Sequence, residues 1–145
     1  MISAQKQKQL EALKYKMEVQ LPANEILGAK IIDLKEGFVK LEIPFKKEFI
    51  GSFKQGFWFG GILSAIADWA GATVGSSVVA NNDILLNTVD MRIKYLKPAL
   101  ENIDIFCEAT VLSYNDKLIR VAIKLYQNTD NNIVTEVKSL FVVIE

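Results

Sequence analysis

Asp68 is the one charged side chain between Gly56 and Ala80, in a stretch that reads GFWFGGILSAIADWAGA over positions 56–72. A carboxylate can act as a general base or a nucleophile when its surroundings position it. Buried without a partner, it costs several kcal/mol or its pKa moves up. No Lys or Arg lies on the segment to neutralise it. Asp68 therefore either accepts hydrogen bonds from a neighbouring segment or carries chemistry. The same stretch places the pair Gly60-Gly61 at the head of a long apolar run. Glycine amides can be approached closely because no side chain shields them. The first N–H groups of a helix lack intrahelical partners and sit at the positive end of its dipole. Such a start suits an oxyanion or a polarised carbonyl.

The remaining composition narrows the chemistry. The chain has 145 residues, no histidine and a single cysteine, Cys107. Without histidine there is no Ser-His-Asp or Cys-His triad, no His-containing metal site and no ordinary imidazole acid-base group. One cysteine excludes a Cys-rich zinc site and an intramolecular disulfide, and no metal site is expected. Cys107 lies in an alternating segment and reads as a small core residue. Lys plus Arg equals Asp plus Glu at 17 each. That balance leaves no electrostatic footprint for nucleic acid. The N-terminal stretch MISAQKQKQLEALKYKM is too polar for a secretory signal, so a cytoplasmic, soluble protein is expected.

The elements that must hold these groups follow from periodicity. Residues 4–17 favour helix, with Leu10, Leu13 and Met17 as a narrow apolar stripe, and the helix should end before Pro22. From Leu27 to Phe45 the period is two, with KEG at 35–37 as the reversal of a hairpin. Residues 60–80 form one long apolar helix. After NND (81–83), the segment 84–96 alternates with Leu85, Val89, Met91, Ile93 and Tyr95 facing one way and Thr88, Asp90, Arg92 and Lys94 the other. Strands follow at 103–113, around 119–125 and at 133–144, separated by YND (114–116) and NTDNN (128–132). The expected architecture is α+β: one domain over 1–145, with an antiparallel sheet wrapped on the 60–80 helix.

The 60–80 segment is long enough to span a bilayer, but its Gly, Ala, Ser and Thr content and an Asp at mid-span argue for a buried helix instead. Apolar residues surround most of it. One stripe is small: Gly61, Ser64, Asp68, Gly71, Ala72 and Gly75 recur at spacings of three and four, which lets another backbone come close. Asp68 lies about 10–12 Å along the axis from the glycine pair, at roughly 1.5 Å per residue. It is badly placed for a carbonyl held at its own helix start, but well placed for one held by an antiparallel helix of a second subunit. The pattern hints at a symmetric dimer.

The stretch resembles the helix-start signature of hotdog-fold thioesterases of the PaaI-like acyl-CoA thioesterase group. That signature reads Asn-x-x-Gly-x-x-His-Gly-Gly, then a carboxylate seven residues after the second glycine. Gly56 matches the first glycine, Gly60 and Gly61 the pair, and Asp68 the carboxylate. NTVDMRIKYLKPA (87–99) is similar to the family strand that ends in an aromatic-Leu-basic-Pro-Ala turn. The resemblance implies a hotdog fold, and dimers or dimers of dimers with sites between subunits. It implies that the Gly60 amide polarises a thioester carbonyl, with Gly61 beside it. It also implies that Asp68 of the neighbouring subunit activates water or attacks, and that a hydroxyl matching Thr88 helps hold the water. Two family positions differ: Phe59 stands in place of the histidine and Phe53 in place of the asparagine. Gln55 is a polar group near enough in sequence to substitute if the loop shifts.

Phe53, Phe57, Trp58 and Phe59 either line an apolar acyl pocket or seal the start of the helix. Lys94, Lys97, Lys117 and Arg120 either meet coenzyme A phosphates or belong to a solvated strand face. The expected activity is acyl-CoA thioester hydrolysis, the alternative being an acyl-thioester-binding protein with little turnover. No cofactor is implied beyond coenzyme A as part of the substrate. The expected partner is an acyl-CoA or acyl-carrier thioester, with no nucleic acid and no membrane.

Overall fold

The computed structural model describes residues 2–144. Alternation at the N-terminal end produces β1 (Lys30–Lys35) and β2 (Phe38–Ile43). They are joined through Gly37, whose φ of 85° lies in the left-handed region that glycine enters without a Cβ penalty. The inward positions of β2, Val39, Leu41 and Ile43, are fully buried, which contributes roughly 1.5–3 kcal/mol each. The apolar run forms α3 (Gly60–Val78), after α1 (Ala4–Tyr15) and the single turn α2 (Asn24–Leu27). Four further strands follow: β3 (Leu85–Tyr95), β4 (Ile105–Asn115), β5 (Leu118–Tyr126) and β6 (Ile133–Ile144). They join β1 and β2 in one six-stranded sheet of order β1-β2-β4-β5-β6-β3, antiparallel at every neighbour. α3 packs on β2, β3, β4, β5 and β6. This is the α+β hotdog arrangement.

The N-terminal helix runs past residue 17 and changes form before it ends. Ser3 caps α1 by accepting from the Lys6 amide, and after Tyr15 the helix widens into a π-helical turn, Lys16–Gln20. It stops before Pro22, where Leu21 is already extended. α2, which carries no periodic signal, is held by the buried Asn24 side chain. That amide donates to the Glu18 and Ala29 carbonyls and accepts from the Ala29 amide. Among the described residues no helix is long and apolar enough to cross a membrane.

Two sequence expectations are corrected by packing. The small-residue stripe of α3 does not act as one strip. Gly71 and Gly75 face the chain's own sheet, against the Phe141 ring and Leu86, and only Gly61, Ser64, Asp68 and Ala72 stay partly open. The alternation of β3 also changes phase. A bulge between Thr88 and Asp90 leaves Val89 outside the register, so Leu86 and Thr88 face α3 before it, and Met91, Ile93 and Tyr95 after it. Leu85 and Val89, expected on the inner face, are exposed.

Gly71→Ala tests the close approach of helix and sheet. The new Cβ would sit 2.7 Å from Phe141 Cζ, a ring carbon of a fully buried side chain. Overpacking of about 1–3 kcal/mol then exceeds the roughly 1 kcal/mol that alanine gains in helix propensity. A net loss in chemical denaturation is expected, and an unchanged or raised midpoint would contradict the packing. Glu42 offers a second test. A hydrogen bond with Asp104, desolvation and the Asp104 charge hold its carboxyl above the ordinary 4.5. Glu42 is therefore protonated more readily in the folded chain, so its contribution is most favourable below that ordinary value and is lost as pH rises through the raised one. Glu42→Gln should raise the melting temperature at pH 7, with the gain shrinking at pH 4.

Candidate active site

The start of α3 leaves donors unused. Phe59 precedes the helix in an extended conformation and provides no side-chain cap, while its carbonyl accepts from the Ile62 and Leu63 amides. The amides of Gly60 and Gly61 have no partner among the described residues. Gly61 is needed by the chain's own aromatics, and Gly60 has one of them at ordinary contact distance. A Cβ at Gly61 would lie 2.5 Å from Phe59 Cε2, so the half-exposed Phe59 ring rests over that residue. A Cβ at Gly60 would lie 3.4 Å from the ring of Tyr95, whose hydroxyl donates to the Gly60 carbonyl at 3.2 Å.

Tyr95 was missed by the sequence reading as a part of this site. The signal that could have found it is its place as the aromatic of the aromatic-Leu-basic-Pro-Ala turn at the end of β3, where the strand passes the helix start. Its bond has an electronic consequence, because the Gly60 carbonyl and the Gly61 N–H belong to one peptide group. Donation to that oxygen draws electron density across the amide and makes the Gly61 N–H a stronger donor.

Asp68 and Thr88 are brought together. Thr88 Oγ1 donates to Asp68 Oδ1 at 2.6 Å, a charge-assisted length. The contact exists because the β3 bulge turns Thr88 toward α3, on the side opposite to the one its alternation suggested. Asp68 is half-buried and Oδ1 is engaged, which leaves Oδ2 for another donor. Asp68 lies eight residues beyond Gly60, roughly 12 Å along the axis at ~1.5 Å per residue, so one chain does not bring the carboxylate to its own free amides.

Phe53, Gln55 and Phe59 line one cleft of about 660 Å³, together with Lys47, Lys54 and Glu101. Phe53 is wholly exposed, and Gln55 is exposed in the same bend. Trp58 is different. It is buried against Phe45 and Phe49 and donates to the Leu100 and Ile103 carbonyls, so it seals the core under the helix start. The four basic residues read as phosphate candidates are not gathered. Lys94 and Arg120 lie on the face of the sheet away from α3, Lys97 follows β3, and Lys117 sits in the β4–β5 turn with φ 64°. Cys107 is fully buried, and burial pushes its thiol well up from the usual range, as expected for a core residue. Among the described residues no three His, Cys, Asp or Glu side chains are grouped to hold a metal.

An uncapped helix start beside an antiparallel hotdog sheet defines a class, and comparison places the chain within it. The family model of the thioesterase superfamily matches residues 55–134, more than half of the chain, and the protein belongs to that superfamily. A protein of Archaeoglobus fulgidus provisionally designated an esterase is 27% identical over 136 residues, covering 94% of this chain and 84% of the relative. Among solved structures, a thioesterase family protein of Silicibacter pomeroyi superposes with a TM-score of 0.83 at 20% identity, covering 93% of this chain and 98% of that one. The PaaI protein of the E. coli phenylacetic acid degradation operon gives 0.83 at 17% identity, with 95% of each chain covered. At these identities the structural likeness speaks to the fold.

Tyr95→Phe isolates the hydroxyl while keeping the ring on Gly60. In the amide NMR spectrum the Gly61 N–H resonance is expected to move upfield, as for a weaker donor, while mid-helix amides such as that of Ala70 stay in place. An unmoved Gly61 resonance would show that the hydroxyl does not polarise that peptide.

Proposed function

We propose that the protein hydrolyses an acyl thioester, with coenzyme A as the carrier, at a site shared between two copies of the chain. The observation that carries this reading is the Thr88–Asp68 hydrogen bond of 2.6 Å, which holds a reactive carboxylate in one orientation on an otherwise uncharged helix. The free Gly60 and Gly61 amides supply the complementary part, and membership of the thioesterase superfamily supports the reaction class.

The second copy is called for by two features. The carboxylate and the free amides of one chain are too far apart to meet. β3, an 11-residue strand, also ends the sheet with its outer edge unpaired among the described residues and flanked by exposed Leu85 and Val89. A long apolar edge is a template for pairing with another strand. Pairing of β3 with its copy about a two-fold axis would continue the sheet and run the two α3 helices antiparallel, each Asp68 toward the other's helix start.

At such a site the thioester carbonyl accepts from Gly60 and Gly61 N–H. Asp68 Oδ2 takes a proton from water as the water oxygen bonds to the carbonyl carbon. The negative charge that develops on the carbonyl oxygen is held by the two amides, the stronger donor being the one Tyr95 polarises. Collapse breaks the C–S bond, and the proton on Asp68 passes to the departing thiolate. Attack by Asp68 itself, through a mixed anhydride that water then cleaves, uses the same groups. The cleft bordered by Phe53, Gln55 and Phe59 opens at the helix start and suits the acyl or pantetheine portion. A second reading, binding of the thioester with slow turnover, is favoured by the Phe59 ring over Gly61, which crowds the amide that should hold the oxyanion.

Hydrolysis of acyl-CoAs of several chain lengths separates the two. Thiol release by the wild type, reduced about a hundredfold or more in Asp68→Asn, is expected for the enzyme. Release from none of them favours the binding protein, and equal activity of Asp68→Asn removes the carboxylate from the mechanism. A complementation assay tests the shared site. Asp68→Asn and Gly61→Val are each expected to be inactive. Co-expressed, they should regain about a quarter of wild-type activity, because half of randomly paired dimers hold one intact site of two. No recovery would place both groups in a single chain's site.

A further inference from the structure

The face of the sheet turned away from α3 carries a charge pattern that thioester chemistry at the helix start does not use. One cross-strand row runs Lys94, Glu136, Lys124, Glu108, Lys40 and Asp33, alternating in sign across all six strands. Opposite charges facing each other across strands are stabilising, so this row is satisfied internally. The adjacent row breaks the rule. Arg92 of β3 faces Lys138 of β6 directly, and the next positions are Ala122 and Thr110, with no acid. Like charges opposite each other are destabilising, and nothing in the row offsets them.

The two rows enclose a hollow. Ala122 is the short side chain at its floor, and the space above it is about 330 Å³, bounded by Arg92, Lys94, Lys138 and Thr110 among others. Of the acids lining it, Glu108 is already engaged by Lys124 at 4.0 Å and by the Tyr126 hydroxyl at 2.6 Å. Arg92, Lys94 and Lys138 form no ion pair with a described residue. The alternating row is neutral, so Arg92 and Lys138, which face no acid, leave the hollow two positive charges in excess.

We propose that this hollow is a binding site for a small dianion of the phosphate-monoester class, separate from the Asp68 site and on the other side of the sheet. A phosphate of two negative charges matches the excess and offers oxygens to a guanidinium fork, an ammonium and the Thr110 hydroxyl at once. It also relieves the Arg92–Lys138 repulsion, so occupancy stabilises the β3–β6 pairing. Because β3 carries Thr88 and Tyr95 on its other face, the site is built into the strand that orders the helix-side groups.

Calorimetric titration with inorganic phosphate tests the site without reference to hydrolysis. Wild type and Asp68→Asn should bind equally, and the double variant Arg92→Gln/Lys138→Gln should bind about tenfold or more weakly. Thermal melts supply a second readout. Phosphate should raise the wild-type melting temperature more than chloride at equal ionic strength, and should not do so in the double variant. The double variant without phosphate should melt no lower than the wild type, since a repulsion has been removed. Acyl-CoA kinetics then identify the source. An unchanged KM in the double variant indicates a free phosphate compound, and a raised KM indicates the phosphate of the thioester's own carrier. Equal phosphate affinity in wild type and double variant, or no saturable binding to the wild type in low-salt buffer, overturns the proposal.

Discussion

The structure depends on the contact between α3 and the inner face of the sheet. α3 is apolar on nearly every side, so it is stable only where another surface removes it from water. The sheet provides that surface through Val39, Leu41, Val121, Ile123 and Phe141, all buried. The approach is close because Gly71 and Gly75 present no side chain to Phe141 and Leu86. Once the helix is held at that distance, its start and its middle are no longer free variables. Its start meets the end of β3 at Tyr95, and Asp68 meets the bulged middle of the same strand at Thr88.

β3 therefore serves three purposes along its length. Its inner face completes the wall around α3, its bulge turns a hydroxyl onto the carboxylate, and its last residue braces the helix start. Its outer edge is unpaired among the described residues, and on its outer face Arg92 lies opposite Lys138 of β6. An edge strand is suited to such a combination. Within one chain it pairs on one side only, so a bulge there disturbs a single intrachain ladder.

The aromatics ahead of the glycine pair divide by burial. Trp58 belongs to the core and satisfies its indole N–H on two carbonyls, whereas Phe53 and Phe59 face the cleft. Residues that look alike in sequence thus differ in what they do. A ring whose polar atom can reach the 100–103 turn can be buried, and a ring in the open bend at 52–55 has nothing above it.

Local pattern was enough to locate the antiparallel strands, the long buried helix and its glycine start, and the isolated carboxylate. Period, propensity and the cost of burying a charge act over a few neighbouring residues. The match of Gly56, Gly60, Gly61 and Asp68 to the family signature is likewise contained in one stretch. The tertiary structure alone decided which side of β3 meets the helix, because a single unpaired residue at Val89 reverses the phase of a period-two pattern without any mark in composition. It also decided that Gly71 and Gly75 serve the chain's own sheet, that Tyr95 braces Gly60, and that Arg92 lies opposite Lys138. Each of these is a pairing between residues distant in sequence, and register across strands is set by the summed packing of the sheet rather than by either partner alone.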